Sequence, residues 1–109
     1  MKEVFWLGTT KRRLKDFPHS AKREAGEQLW RVQQGKEPID WKPIKTMGRG
    51  VAEIRIHQPH EHRVIYVANY PEGVYVLHAF QKKSQQTSWK DLEIARSNYA
   101  KIQKTRQNL

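Results

Sequence analysis

A chain of 109 residues is ordinary for one small domain, and it contains no cysteine. Disulfide staples, thiolate metal sites and thiol catalysis are therefore excluded. Lys and Arg number 21 against 11 Asp and Glu, a net charge of +10, which points to a polyanionic partner, with nucleic acid ahead of an acidic membrane face or an acidic protein.

The first predicted element is a strand, "EVFWL" (Glu3–Leu7), bounded by Gly8 and two threonines. "TTKRRLKDF" then begins a short basic helix with Thr9 or Thr10 as its cap. Pro18 stops that helix and opens the next, Pro18–Gln34. Along it Ala21, Ala25, Gln28, Leu29 and Val32 recur at three- and four-residue steps, one core-facing stripe, and Gly35 stands where a C-cap is wanted. Lys36–Gly50 reads as a loop, with Trp41, Ile44 and Met47 anchoring it on the core. Its length implies a short hidden strand or a functional role.

Three strands follow closely. In "VAEIRIH" (Val51–His57), Val51, Glu53, Arg55 and His57 share one face, and Ala52, Ile54 and Ile56 the other. "HRVIYVANY" (His62–Tyr70) alternates in the same way, with Arg63, Ile65, Val67 and Asn69 together. "PEG" is a tight turn, and "VYVLHAFQKK" (Val74–Lys83) completes an antiparallel meander. Ser88 is the expected N-cap of a last helix, "WKDLEIARSNYAKIQKTR", whose apolar stripe is Leu92, Ala95, Tyr99 and Ile102. The order predicts one α+β domain over residues 1–109, an antiparallel sheet with helices on one face. No apolar run approaches the roughly 20 residues of a membrane span, and the N-terminal apolar segment is short for a signal peptide, so the expectation is a cytoplasmic protein without membrane contact.

The strand faces locate the charge. Lys82 and Lys83 emerge at the end of the third strand, and Arg55, Arg63 and one of these two lysines converge if the register places Arg55 beside Arg63. Such a cluster suits a phosphodiester, because guanidinium offers forked donors to phosphate oxygens. RNA brings its own nucleophile, the 2′-OH next to the phosphate. A protein then needs only to align it, stabilise charge on phosphorus oxygens and move a proton. His57 and His78 are the candidate general acids or bases, with a lysine of lowered pKa as a further option. The histidines of "HQPHEH" sit in a turn without a distant partner set, and "MGRG" lacks a phosphate-loop context. No metal and no cofactor are expected.

These blocks, "WKPIKTMGRGVAEIRI", "HRVIYV", "VYVLHAFQKKSQQT" and "DLEIARSNYAKI", resemble the phage-derived branch of the HigB/RelE toxin superfamily. The resemblance implies a RelE-like antiparallel β-sheet with N-terminal helices packed on one face and a C-terminal helix. It implies the toxin of a type II toxin–antitoxin system: an mRNA interferase, a metal-independent endoribonuclease that cleaves messenger on the ribosome by 2′-OH attack. It implies a cognate helix-turn-helix antitoxin, HigA-like. Carried over by motif, the strand arginine matches Arg63, the arginine of the E-[IL]-R block matches Arg55, and the basic pair matches Lys82 and Lys83. Arg49, between the glycines of the first block, joins these four as a candidate RNA-binding residue. Two departures are His62 where tyrosine is usual and Ser84 where threonine is usual. The alternatives are a non-catalytic basic nucleic-acid-binding module and a protein that docks an acidic partner.

Overall fold

Valine, isoleucine and aromatic residues, stiff at χ1 and suited to a pleated surface, fill the long strands. The computed structural model describes residues 1–107. In chain order the elements are β1 (Glu3–Trp6), α1 (Thr10–Lys15), α2 (His19–Gln33), β2 (Trp41–Pro43), β3 (Val51–Ile56), β4 (His62–Tyr70), β5 (Gly73–Gln81) and α3 (Trp89–Gln107). The sheet has the order β1-β5-β4-β3-β2. The meander β2 to β5 is antiparallel, as the short turns require. β1 is parallel to β5 at the far edge, which makes the sheet mixed. The long loop does contain a strand, β2, which forms the other edge.

Both faces of the sheet are covered. On one face, Leu14 and Phe17 of the α1 turn and Ala21, Ala25, Leu29 and Val32 of α2 pack against alternate strand residues such as Ile54, Val64 and Val76. On the other, Ala95, Tyr99 and Ile102 of α3 pack against Ile65, Val67, Leu77 and Phe80. The expectation of helices on one face is therefore corrected: α3 lies opposite α1 and α2. Its cause is visible in β4, where Ile65 and Val67 are as apolar as Val64 and Tyr66. A strand apolar on both sides needs two covering layers. Each such aliphatic side chain contributes roughly 1.5–3 kcal/mol by leaving water.

Two local devices fix the ends of these elements. Ser88 Oγ accepts the Asp91 backbone N–H at 3.1 Å, the N-cap of α3. The turn before β3 needs both its glycines. A Cβ on Gly48 would lie 2.4 Å from the Tyr99 ring, and Gly50 has φ +82. Tyr99 thus clamps α3 onto the β2–β3 connection. Among the described residues no helix is long and apolar enough to cross a membrane.

Candidate nucleic-acid interface

The register resolves which charges meet. Arg55 on β3 lies directly opposite Arg63 on β4, and Arg63 opposite Phe80 on β5. Directly opposed residues share a face, so both guanidiniums belong to the face that α3 covers in part. Glu53 is two residues before Arg55 on that same face. Toward the β2 edge α3 does not reach, and a groove of about 690 Å³ opens there. Glu53, Arg55 and Lys82 line it, with Lys42 and Lys45 from the β2 side and Gln86 from the loop before α3. Lys82 follows β5 directly, and its backbone N–H donates to Glu61 O at 2.7 Å, which holds the strand end against the β3–β4 turn.

Arg63 is 2 % exposed and lies behind this groove. Its Nη2 donates to Glu61 Oε1 at 2.8 Å and its Nη1 to the His62 carbonyl at 3.0 Å. Its Nε is 4.0 Å from Glu53 Oε1 and makes no hydrogen bond. Arg55 Nε is likewise buried and without a hydrogen-bond partner. A buried donor left unpaired costs about 1–3 kcal/mol. Of the two guanidiniums only that of Arg55 lines the groove, where an arriving anion meets it.

The carboxylates are as ordered as the cations. Glu53, 8 % exposed, lines the groove with its Oε1 4.0 Å from Arg63 Nε. Glu61 bridges outward to His57, whose Nδ1 lies 2.8 Å from Glu61 Oε2 and whose Nε2 lies 2.5 Å from Asp40 Oδ2. The hydrogen bond to Asp40, then that to Glu61, raises the His57 pKa above its ordinary value. Hydrogen bonding to His57 first, and to Arg63 next, holds the Glu61 carboxyl below the usual carboxylate range. The chain Asp40–His57–Glu61–Arg63 ties the start of β2 to the β3–β4 turn.

The predicted site residues therefore divide. Arg55 and Lys82 line the groove, with Arg63 buried behind it. Lys83 is exposed and lines a smaller adjoining pocket with Ser84 and Asp91, which shares Lys82 and Gln86 with the groove but does not include Arg55. His57 is outside the groove, engaged by two carboxylates. His78 is fully buried; its Nε2 donates to Asp91 Oδ1 at 2.7 Å and its ring stacks on Phe80. Burial is the main cause that lowers its pKa, with Asp91 opposing and Arg13 adding to the fall. Neither histidine reaches the groove. Arg49 lines a different cleft, on the α2 face of the sheet. Trp41, expected to anchor its loop in the core, is 37 % exposed on that same side. Among the described residues no group of three or more His, Cys, Asp or Glu is placed to hold a metal.

Glu53 is the residue that sequence reasoning did not single out. Its i, i+2 spacing from Arg55 put it on the charged face, and that was the available signal. Chemically, the groove offers a carboxylate and the Arg55 guanidinium on β3 and an ammonium at the end of β5. That set can bind a phosphodiester, accept a proton and return one.

No curated protein sequence matches the chain. A family model described as phage-derived protein Gp49-like (DUF891) matches residues 12–100, a span running from α1 into α3 and including every strand after β1. The chain belongs to the family of phage-derived Gp49-like proteins.

Proposed function

We propose that this protein is the toxin of a type II toxin–antitoxin module of the HigB/RelE kind, an endoribonuclease that cuts messenger RNA at the ribosome. The Gp49-like family is toxin-like, and this supports the general class. The observation that carries the catalytic reading is the groove itself: Glu53 and Arg55 from one strand and Lys82 in the same groove, with Arg63 opposite Arg55 and its Nε 4.0 Å from Glu53 Oε1.

In this reading the phosphate flanking the cut sits on Arg55, with Arg63 supplying positive charge from behind. Glu53 takes the proton of the 2′-OH as that oxygen bonds to phosphorus. The bond from phosphorus to the 5′-oxygen breaks, and the Lys82 ammonium gives that oxygen a proton. The products are a 2′,3′-cyclic phosphate and a 5′-hydroxyl. Charge developing on the non-bridging oxygens meets guanidinium donors already in place, which is where most of the acceleration arises. The remaining partners of the proposal are a helix-turn-helix antitoxin that neutralises the toxin, and a cytoplasmic site of action.

The test is induction of the protein in a host cell with primer-extension mapping of transcripts, beside Arg55→Ala and Glu53→Gln. Wild type arrests growth and produces discrete new ends within coding sequence. Each variant, soluble and folded, loses on the order of 100-fold or more of the cleavage. Growth arrest that persists in both variants, or arrest without new transcript ends, contradicts the proposal.

A further inference from the structure

A second cleft of about 680 Å³ lies on the opposite face of the sheet, between the end of α2 and the β2 edge. Its floor is apolar and aromatic, with Val32, Ala52 and Tyr66. Burial drives the Tyr66 pKa upward, so its ring stays neutral. Trp41 forms one side. Its register partner is Ile54, whose side chain faces the α2 core, so the indole stands on the α2 face and remains 37 % exposed. Cations surround this surface: Lys36 and Lys45 at the rim, Arg49 from the Gly48–Gly50 turn, and Lys2, which is partly engaged by the Ala68 carbonyl at 2.6 Å. Glu37 is the single carboxylate among the lining residues.

The cleft is continuous with the groove. Pro43 and Lys45 line both, so the two meet over the end of β2. β2 itself is an edge strand of three exposed residues with no neighbour on its outer side. An apolar aromatic surface ringed by cations fits a single-stranded nucleic acid: bases stack on the aromatic ring while phosphates meet the cations. An acidic protein segment would satisfy the cations but leave an open indole with no planar partner.

We propose that the α2-face cleft is a second single-stranded RNA subsite, reached by the strand passing over the β2 edge, with a base stacked on Trp41 and flanking phosphates on Lys36, Lys45 and Arg49. This inference rests on the endoribonuclease reading of the groove. Trp41 contributes strand affinity and register rather than chemistry. Because the subsite and Glu53 are on opposite faces of the sheet, a strand fills both only by passing over the β2 edge, and short substrates do not.

The test measures fluorescence anisotropy of labelled oligonucleotides that lack the attacking hydroxyl, 2′-O-methyl strands of three and nine nucleotides. They are titrated with wild type, Trp41→Ala, Trp41→Phe and Arg55→Ala, each checked for a native circular dichroism spectrum. Wild type binds the nine-mer more tightly than the three-mer. Trp41→Ala removes roughly tenfold of the nine-mer affinity and leaves the three-mer unchanged, while Trp41→Phe retains most of it. A length advantage that survives Trp41→Ala overturns the subsite. The groove is read separately: Arg55→Ala weakens both strands, and failure of that arm counts against the groove and not against Trp41.

Discussion

Removing the Arg63 side chain probes how the groove is supported. Arg63→Ala deletes an ion pair to Glu61 at 2.8 Å, a hydrogen bond to the His62 carbonyl at 3.0 Å and the cation 4.0 Å from Glu53. Breaking a buried pair costs about 3–5 kcal/mol when the abandoned charge stays buried. The Glu61 side chain is 42 % exposed and rehydrates, whereas that of Glu53 is 11 % exposed and loses the cation 4.0 Å away. The cost therefore falls at the lower end, about 3 kcal/mol. For a chain of this length that is a fall in Tm of about 12 °C. Thermal unfolding followed by circular dichroism, with a urea titration to confirm an unchanged m-value, measures it. Adding Glu53→Gln to Arg63→Ala restores part of the loss, because the orphaned charge is gone. A Tm within about 2 °C of wild type for Arg63→Ala would refute the reasoning. Arg55→Ala behaves differently: Arg55 is half-buried and, among the described residues, in no ion pair, so its stability change stays within about 1 kcal/mol. Arg55 is thus the cleaner probe of catalysis.

The two lysines of the β5 end should separate: Lys82→Ala lowers cleavage on the order of 100-fold, and Lys83→Ala leaves it within a few-fold, in the same transcript-mapping assay. His57 has a raised pKa in the fold, so its contribution is complete below the ordinary histidine value near 6.5 and is lost as pH rises through the higher folded value. His57→Gln is accordingly most destabilised on the acid side of neutrality, and its urea midpoint approaches that of wild type as pH rises. His78 carries the opposite sign: its neutral, buried form is favoured, so stability is complete above about 6.5 and falls as pH drops through its lowered pKa. Gly48→Ala drives a methyl into the Tyr99 ring 2.4 Å away and costs about 1–3 kcal/mol, read as a lower Tm.

Much of this fold is legible in the amino-acid order. The alternation of "HRVIYVANY" marks β4 at its observed bounds, His62–Tyr70, and the three- and four-residue steps of Ala21, Ala25, Leu29 and Val32 mark the buried stripe of α2. Ser88 announces α3. The parallel pairing of β1 is not legible, because its partner β5 is about seventy residues away and local pattern carries no information on distant pairing. The second covering layer is written in β4 and β5, apolar on both faces, although Arg55 and Arg63 lie on the face that α3 covers in part. Arg63 is buried because Glu61, only two residues away, neutralises it, and a charge on a strand gives no sign of such a partner. Likewise His78 shares the α3 face with Leu77 through a register shift near Ile65, a bulge that alternation does not foretell. Spacing placed Glu53 beside Arg55; only the groove gives that placement a chemical meaning.

The most direct measurement uses ribosome-bound messenger carrying a single 2′-deoxy nucleotide immediately before the mapped cleavage position. The account predicts that cleavage at that position disappears, neighbouring sites are untouched, and the unmodified transcript ends in a 2′,3′-cyclic phosphate. Cleavage of the deoxy-substituted transcript at the wild-type rate would contradict it, since the attacking oxygen would then not come from the RNA.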